Sequence, residues 1–189
     1  MKRLSIGAVT AALATIVLSA CSGDSAGGSS SGGGDFLTDG NAVLSALDAV
    51  AAKSGKPMRV TTIGADRVSG LSVDVQEPDN HVNVDRYVIA ANGSISGPTP
   101  VKLMSLDGGP VTAASVDLQA FDPKKIGFTR LSTTVKEAIA KSHYSDARVN
   151  QWEIGGLGRD DRRYLYLESE RARQVAILRP DLRIADMRY

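Results

Sequence analysis

The chain has 189 residues, with 22 Lys plus Arg against 21 Asp plus Glu, a formal net charge of +1 and 42% hydrophobic residues. That length excludes a large multidomain enzyme, and the neutral balance excludes the strongly basic surface on which non-specific nucleic-acid binding depends. A single cysteine excludes an intramolecular disulfide framework, so the fold has to hold by packing alone.

At the amino terminus, Lys2 and Arg3 precede a mostly apolar run from Leu4 to Leu18 that ends in small residues and Cys21. Charge, then a short apolar stretch, then small residues is the pattern of a secretory signal peptide over residues 1–20. The run is too short for a membrane-spanning helix. Leu18-Ser19-Ala20-Cys21 resembles the lipobox of bacterial lipoproteins. The resemblance implies diacylglycerol addition to the Cys21 sulfur, cleavage after Ala20 and acylation of the new amino terminus. Two or three acyl chains anchor a protein essentially permanently, at about 0.8 kcal/mol per buried methylene, so the expected membrane partner is the bilayer itself. In the Gram-negative members of that family, Ser rather than Asp after the cysteine implies sorting to the outer membrane, and Ser22 matches. The implied address is the inner leaflet of the outer membrane, facing the periplasm.

Residues 21–35 carry the lipidation site and a tether. Eleven of the thirteen residues from Ser22 to Gly34 are Gly or Ser, with no apolar surface to offset the entropy of ordering. Such a segment has an end-to-end distance of roughly 20 Å and a stretched limit of about 45 Å. Charge divides unevenly beyond it: 6 basic and 11 acidic residues from Cys21 to Ala120, then 14 basic and 10 acidic from Phe121 to Tyr189.

The folded part reads as two units. In the first, residues 36–105, Val43, Leu44, Leu47, Val50 and Ala51 form the stripe of an amphipathic helix, with Thr38 and Asp39 as caps and Gly55 as a stop. Strand patterns follow at Met58 to Ile63, Leu71 to Gln76 and His81 to Ala90, with an Asn92-Gly93 turn before Ser94 to Val101. A connecting segment holds an Asp107-Gly108-Gly109-Pro110 turn and an extra strand candidate, Val111 to Leu118. In the second unit, within residues 106–189, Val135, Ala138 and Ile139 follow a Thr134–Glu137 capping box, and strands are predicted at Arg148 to Ile154, Arg163 to Ser169, Gln174 to Leu178 and Arg183 to Arg188. Arg59-Val60 and Arg148-Val149 open similarly spaced sets of landmarks, a weak internal repeat. The expected class is α+β, two tandem helix-then-antiparallel-strand units of α-β-β-β type. By element order alone this is similar to tandem PepSY-type modules and the β-lactamase-inhibitor-like fold, which implies an architecture and no site residues.

Motifs of catalysis are missing. Gly93-Ser94-Ile95-Ser96-Gly97 places Ile95 where a nucleophile should stand, and zinc-helix, paired-cysteine, P-loop and dinucleotide patterns are absent. His81, Asn83 and Asp85 would share a strand face, with Asp79 near, but an exposed polar face explains them better than a metal; His143 reads as a helix-end residue. No catalytic residue, metal or cofactor is expected, and nucleic acid is excluded as a partner.

Seven of nine aromatic residues lie from Phe121 onward, where eight arginines also fall between Arg159 and Arg188. Aromatic and Arg side chains combine contact area with hydrogen bonding, which is why they concentrate in binding hot spots. The candidate surface is Trp152, Arg163, Tyr164, Tyr166, Arg171 and Arg173. Because Tyr164 and Tyr166 alternate with Leu165 and Leu167, the tyrosines are exposed only if the leucines face the helix. The function expected is that of an anchored, non-catalytic envelope lipoprotein binding an envelope protein or cell-wall component. The alternative is an inhibitor or immunity-type protein acting through the loops Glu77-Pro78-Asp79-Asn80 or Gly155 to Arg162.

Overall fold

The first helix forms where an acidic cap meets an apolar stripe. In the computed structural model, which describes residues 35–55, 57–104, 109–157 and 160–189, α1 spans Gly40–Ser54, and Asp39 Oδ1 accepts from the backbone N–H of Asn41 at 2.9 Å and of Ala42 at 3.3 Å. These bonds satisfy two of the donors a helix start leaves unpaired. The helix stops at Gly55, whose φ of 88° suits glycine. Val43, Leu47 and Val50 form its buried stripe. The amino-terminal motif, Cys21, Ser22 and the tether lie outside the described residues.

A four-strand meander follows, β1 (Arg59–Asp66), β2 (Gly70–Gln76), β3 (Val84–Ile89) and β4 (Ile95–Pro100). Next come α2 (Ala113–Asp117), short 3-10 turns at Pro123–Lys125 and Phe128–Arg130, and α3 (Leu131–Lys141). A second meander closes the chain, β5 (Arg148–Leu157), β6 (Asp160–Glu168), β7 (Arg173–Leu178) and β8 (Ile184–Arg188). All eight strands form one antiparallel sheet in the order β4-β3-β2-β1-β5-β6-β7-β8, so the class is α+β. Both halves are joined through β1 and β5, where Ile63 pairs with Ile154 and Ala65 with Trp152. The registers correspond: Arg59 faces Gln76 with an irregularity between Val60 and Thr62, and Arg148 faces Glu168 with one between Val149 and Gln151.

Three sequence expectations give way here. Each meander has four strands where the α-β-β-β type counts three, the fourth falling within the segments Ser94 to Val101 and Arg183 to Arg188. Val111 to Leu118 is not a strand: Thr112 and Ser115 cap one another across the first turn of α2, and the small residues between them favour helix. Thr134 does not open a helix either. It lies inside α3, fully buried, 2.8 Å from the Leu182 carbonyl and 3.2 Å from that of Arg130, while Glu137 pairs with Arg130 at 3.3 Å. Leu182 is itself buried at a φ of 62°, in the turn before β8.

α1 and α3 cover one face of the sheet, and the core lies between. Ile63, Leu71, Val73, Trp152, Leu165 and Leu167 are among its most enclosed strand residues. Each such aliphatic side chain contributes about 1.5–3 kcal/mol on burial. The helix amino termini meet near the sheet centre, where a Cβ on Gly40 would collide with the Phe128 carbonyl. Glycine there is a packing requirement. The outer edges are blunted by Pro98 and Pro100 on β4 and by Asp186 and Arg188 on β8.

Candidate binding face

Register decides which side chains the second meander offers to solvent. Leu165 and Leu167 are 0% and 1% exposed on the helix side, so Tyr164 and Tyr166 lie on the opposite face. There Tyr164 stands across from Glu153 and Ile177, and Tyr166 across from Gln151 and Val175. The two rings meet edge to face with centroids 6.1 Å apart, and both are half-buried. No described helix covers them.

The other proposed surface residues divide. Trp152 is corrected: it is 1% exposed, its ring 5.7 Å from that of Phe128, and its Nε1 donates to the Phe36 carbonyl at 2.8 Å. It sits opposite Leu165, so strand alternation sends it to the core. Arg163 is corrected too, since it pairs with Ile154 on the helix side and is only partly exposed. Arg171 is exposed in the β6–β7 turn. Arg173 shares the tyrosine face, 3.7 Å from Glu168 across the strand pair.

Gln151, Glu153, Val175 and Ile177 belong to this face and were missed. Their alternation with Trp152 and Ala176 was the available signal. The face continues into the first meander, where Arg86 holds Asp74 through two bonds of 2.6 and 2.7 Å. The Asp74 carboxylate, 7% exposed, raises the Arg86 pKa further above its ordinary value, and the charge of Glu153 adds to the effect. A bidentate pair of this kind fixes orientation as well as charge.

Over the far end of the same face, the first half is covered. α2 brings Asp117 to the ends of β1 and β2, where its Oδ1 accepts from Gln76 Nε2 at 2.8 Å and lies 2.9 Å from His81 Nδ1 and 3.5 Å from Arg59. The same guanidinium donates to the carbonyls of Asp117 and Ala120 at 3.1 and 3.0 Å. Hydrogen bonds from Gln76 and then from His81 hold the Asp117 carboxyl below the usual carboxylate range. His81 therefore does not share a strand with Asn83 and Asp85: β3 starts at Val84, because the preceding residues turn to let His81 reach Asp117. Asn83 binds Glu77 instead, at 2.7 Å, closing the Glu77–Asn80 turn on itself. Among the described residues, no three His, Cys, Asp or Glu side chains gather as metal ligands. His143 lies just beyond α3 and stacks on Tyr189, centroids 4.3 Å apart. The expected loop Gly155 to Arg162 is corrected: apart from residues 158 and 159, which lie outside the described residues, it is the paired ends of β5 and β6, with Gly155 across from Arg162 and Leu157 across from Asp160.

No family model matches the chain, and no curated protein does either. Among solved structures it is similar to a candidate lipoprotein from Clostridium difficile 630, with 15% identity and a TM-score of 0.52 over 82% of this chain and 94% of that one. The likeness is one of fold.

Proposed function

We propose that this is a lipid-anchored envelope lipoprotein, non-catalytic, that binds an envelope protein or cell-wall component through the open face of β5, β6 and β7. The carrying observation is the Tyr164–Tyr166 pair on a sheet face that no described element covers, bordered by Gln151, Glu153 and the apolar Val175 and Ile177. Half-buried tyrosines beside planar polar groups supply contact area and hydrogen bonds at low entropic cost. Anchoring rests on the Leu18-Ser19-Ala20-Cys21 motif, and the fold shared with a candidate lipoprotein supports it. Acyl chains on Cys21 hold the protein to the bilayer, and Ser22 directs it to the inner leaflet of the outer membrane. No cofactor or nucleic acid takes part.

The test is in-cell crosslinking of the acylated protein with identification of captured partners, using Cys21→Ala as the mislocalised control. Loss of one specific partner in Tyr164→Ala and Tyr166→Ala, with folding intact, supports the proposal. Undiminished capture by both variants overturns the assignment of this face. Capture of a periplasmic hydrolase through another surface would favour an inhibitor role instead.

A further inference from the structure

The two halves treat the same sheet face differently. In the second half no described helix covers it; in the first, α2 lies at the far end of β2 and β3, and the chain beyond it meets β1, where Phe121 and Val60 exchange backbone hydrogen bonds of 3.0 and 2.9 Å. What this segment puts down is small. Within α2, Val116 is buried at 2% exposure, and the carboxylate of Asp117 takes the donors of Gln76, His81 and Arg59. Val84, on the same face of β3, is also 2% exposed, and neither valine belongs to the core beneath the helices. Leu118, the next residue along, is 81% exposed.

Four features make this a seat rather than ordinary packing. Its donors come from three separate stretches of chain, β1, β2 and the turn before β3, and converge on one oxygen. Gln76 is itself oriented by the carbonyl of His81 at 3.0 Å, and is 2% exposed. The Arg59 guanidinium also reads two backbone carbonyls of the occupant, as a peptide-recognising group does. Finally, the occupant is a single turn, preformed by the Thr112–Ser115 cap and covalently attached. Attachment gives it a high effective concentration, so a weak intrinsic fit is enough to keep it in place.

We propose that the end of the open face around Arg59, Gln76, His81 and Val84 is a carboxylate-reading docking seat for a peptide segment with an apolar residue followed by an acidic one, and that α2 occupies it in cis as a self-ligand. A partner protein carrying such a turn displaces α2 and lies against Val84 and Gln76 with its carboxylate on Arg59. The seat is separate from the Tyr164–Tyr166 face and stands whether or not that face binds anything.

The probe is a fluorescent synthetic peptide spanning residues 111–119 of this chain, titrated by anisotropy against the full chain and against the Val116→Ser/Asp117→Ala variant. The emptied variant is expected to bind the peptide at least about tenfold more tightly than the native chain, in which α2 competes. Replacing Asp by Asn in the peptide, or adding Arg59→Ala to the variant, is expected to weaken binding at least about tenfold, the scale of a hydrogen bond to a charged group. Equal binding of the Asp and Asn peptides overturns the proposal, as does absence of binding to a variant that is folded. If the double variant does not fold, hydrogen exchange of Asp117→Asn decides: amides of residues 112–118 exchanging at least about tenfold faster, with β1–β3 unchanged, support the seat, and unchanged protection of 112–118 overturns it.

Discussion

The indole Nε1 of Trp152 donates to the carbonyl of Phe36, 116 residues earlier in the chain, at 2.8 Å. That bond ties the entry to α1 directly to the middle of β5, in the same region where Phe128 packs on the Trp152 ring. Trp152→Phe keeps most of the apolar volume and strands the Phe36 carbonyl, so it should cost about 1–3 kcal/mol; Trp152→Ala adds a cavity and should cost about 3–5 kcal/mol. Urea denaturation followed by circular dichroism measures both.

Thr134 is a β-branched polar residue buried inside a helix, where its hydroxyl has one proton for two nearby carbonyls. The shorter distance, 2.8 Å to Leu182, identifies the bond that fastens α3 to the turn before β8. Thr134→Val preserves shape and removes the donor, leaving a buried carbonyl unpaired at a cost of about 1–3 kcal/mol. Thermal unfolding should show the loss, and exchange protection in β8 should fall with it.

Asp74 and Arg86 test how much a half-exposed ion pair contributes on a sheet face. Removing Arg86 leaves a nearly buried carboxylate without its guanidinium, whereas removing both removes the problem. Arg86→Ala should therefore destabilise by about 1–3 kcal/mol, discounted for the exposed guanidinium, and Asp74→Asn/Arg86→Gln by less. A double-mutant cycle in guanidinium chloride gives the coupling.

The pH dependence of the connector follows from Asp117. Its pKa is lowered in the folded state, so the stability it contributes is fully present above the ordinary carboxyl pKa of 3.8 and is lost as pH falls through the depressed folded value. Between pH 5 and 8 this carboxyl contributes no pH dependence. Limited proteolysis with an acid-active protease should cut the 109–120 segment faster below about pH 4 in the native chain, and Asp117→Asn should show that sensitivity already at pH 7.

On the open face, Tyr164→Ala and Tyr166→Ala should each cost no more than about 1–2 kcal/mol, whereas Leu165→Ala should cost about 2–5 kcal/mol. Comparable losses at all three positions would mean that the tyrosines are packing residues.

Much of the architecture was legible because it is local. Asp39, the Val43-Leu47-Val50 stripe and Gly55 mark a helix whose cap, face and end are all set within the segment itself. Strand positions follow from alternation, which also poses Leu165 against Tyr164 as a choice between two faces. What failed was non-local. Thr134–Glu137 has the spacing of a capping box, but Thr134 is claimed by a carbonyl 48 residues away and Glu137 by Arg130. His81 reads as strand because its neighbours alternate, yet Asp117 from the connector holds it in the turn before β3. Trp152 looked like a surface aromatic among arginines; only the pairing with Ala65 and Leu165 sends it inward. The face itself was half legible, since its arginines and tyrosines stand out by type while Gln151 and Glu153 reveal their place only through register.

Phe36, held by Trp152, places the start of the described chain on the helix layer, near the sheet's midline. A pull transmitted through the amino-terminal segment would load a buried indole and the start of α1, far from either outer strand. The sheet would feel that pull broadside rather than being unzipped from β4 or β8, and mechanical failure would begin with α1 lifting away while the tyrosine face kept its shape.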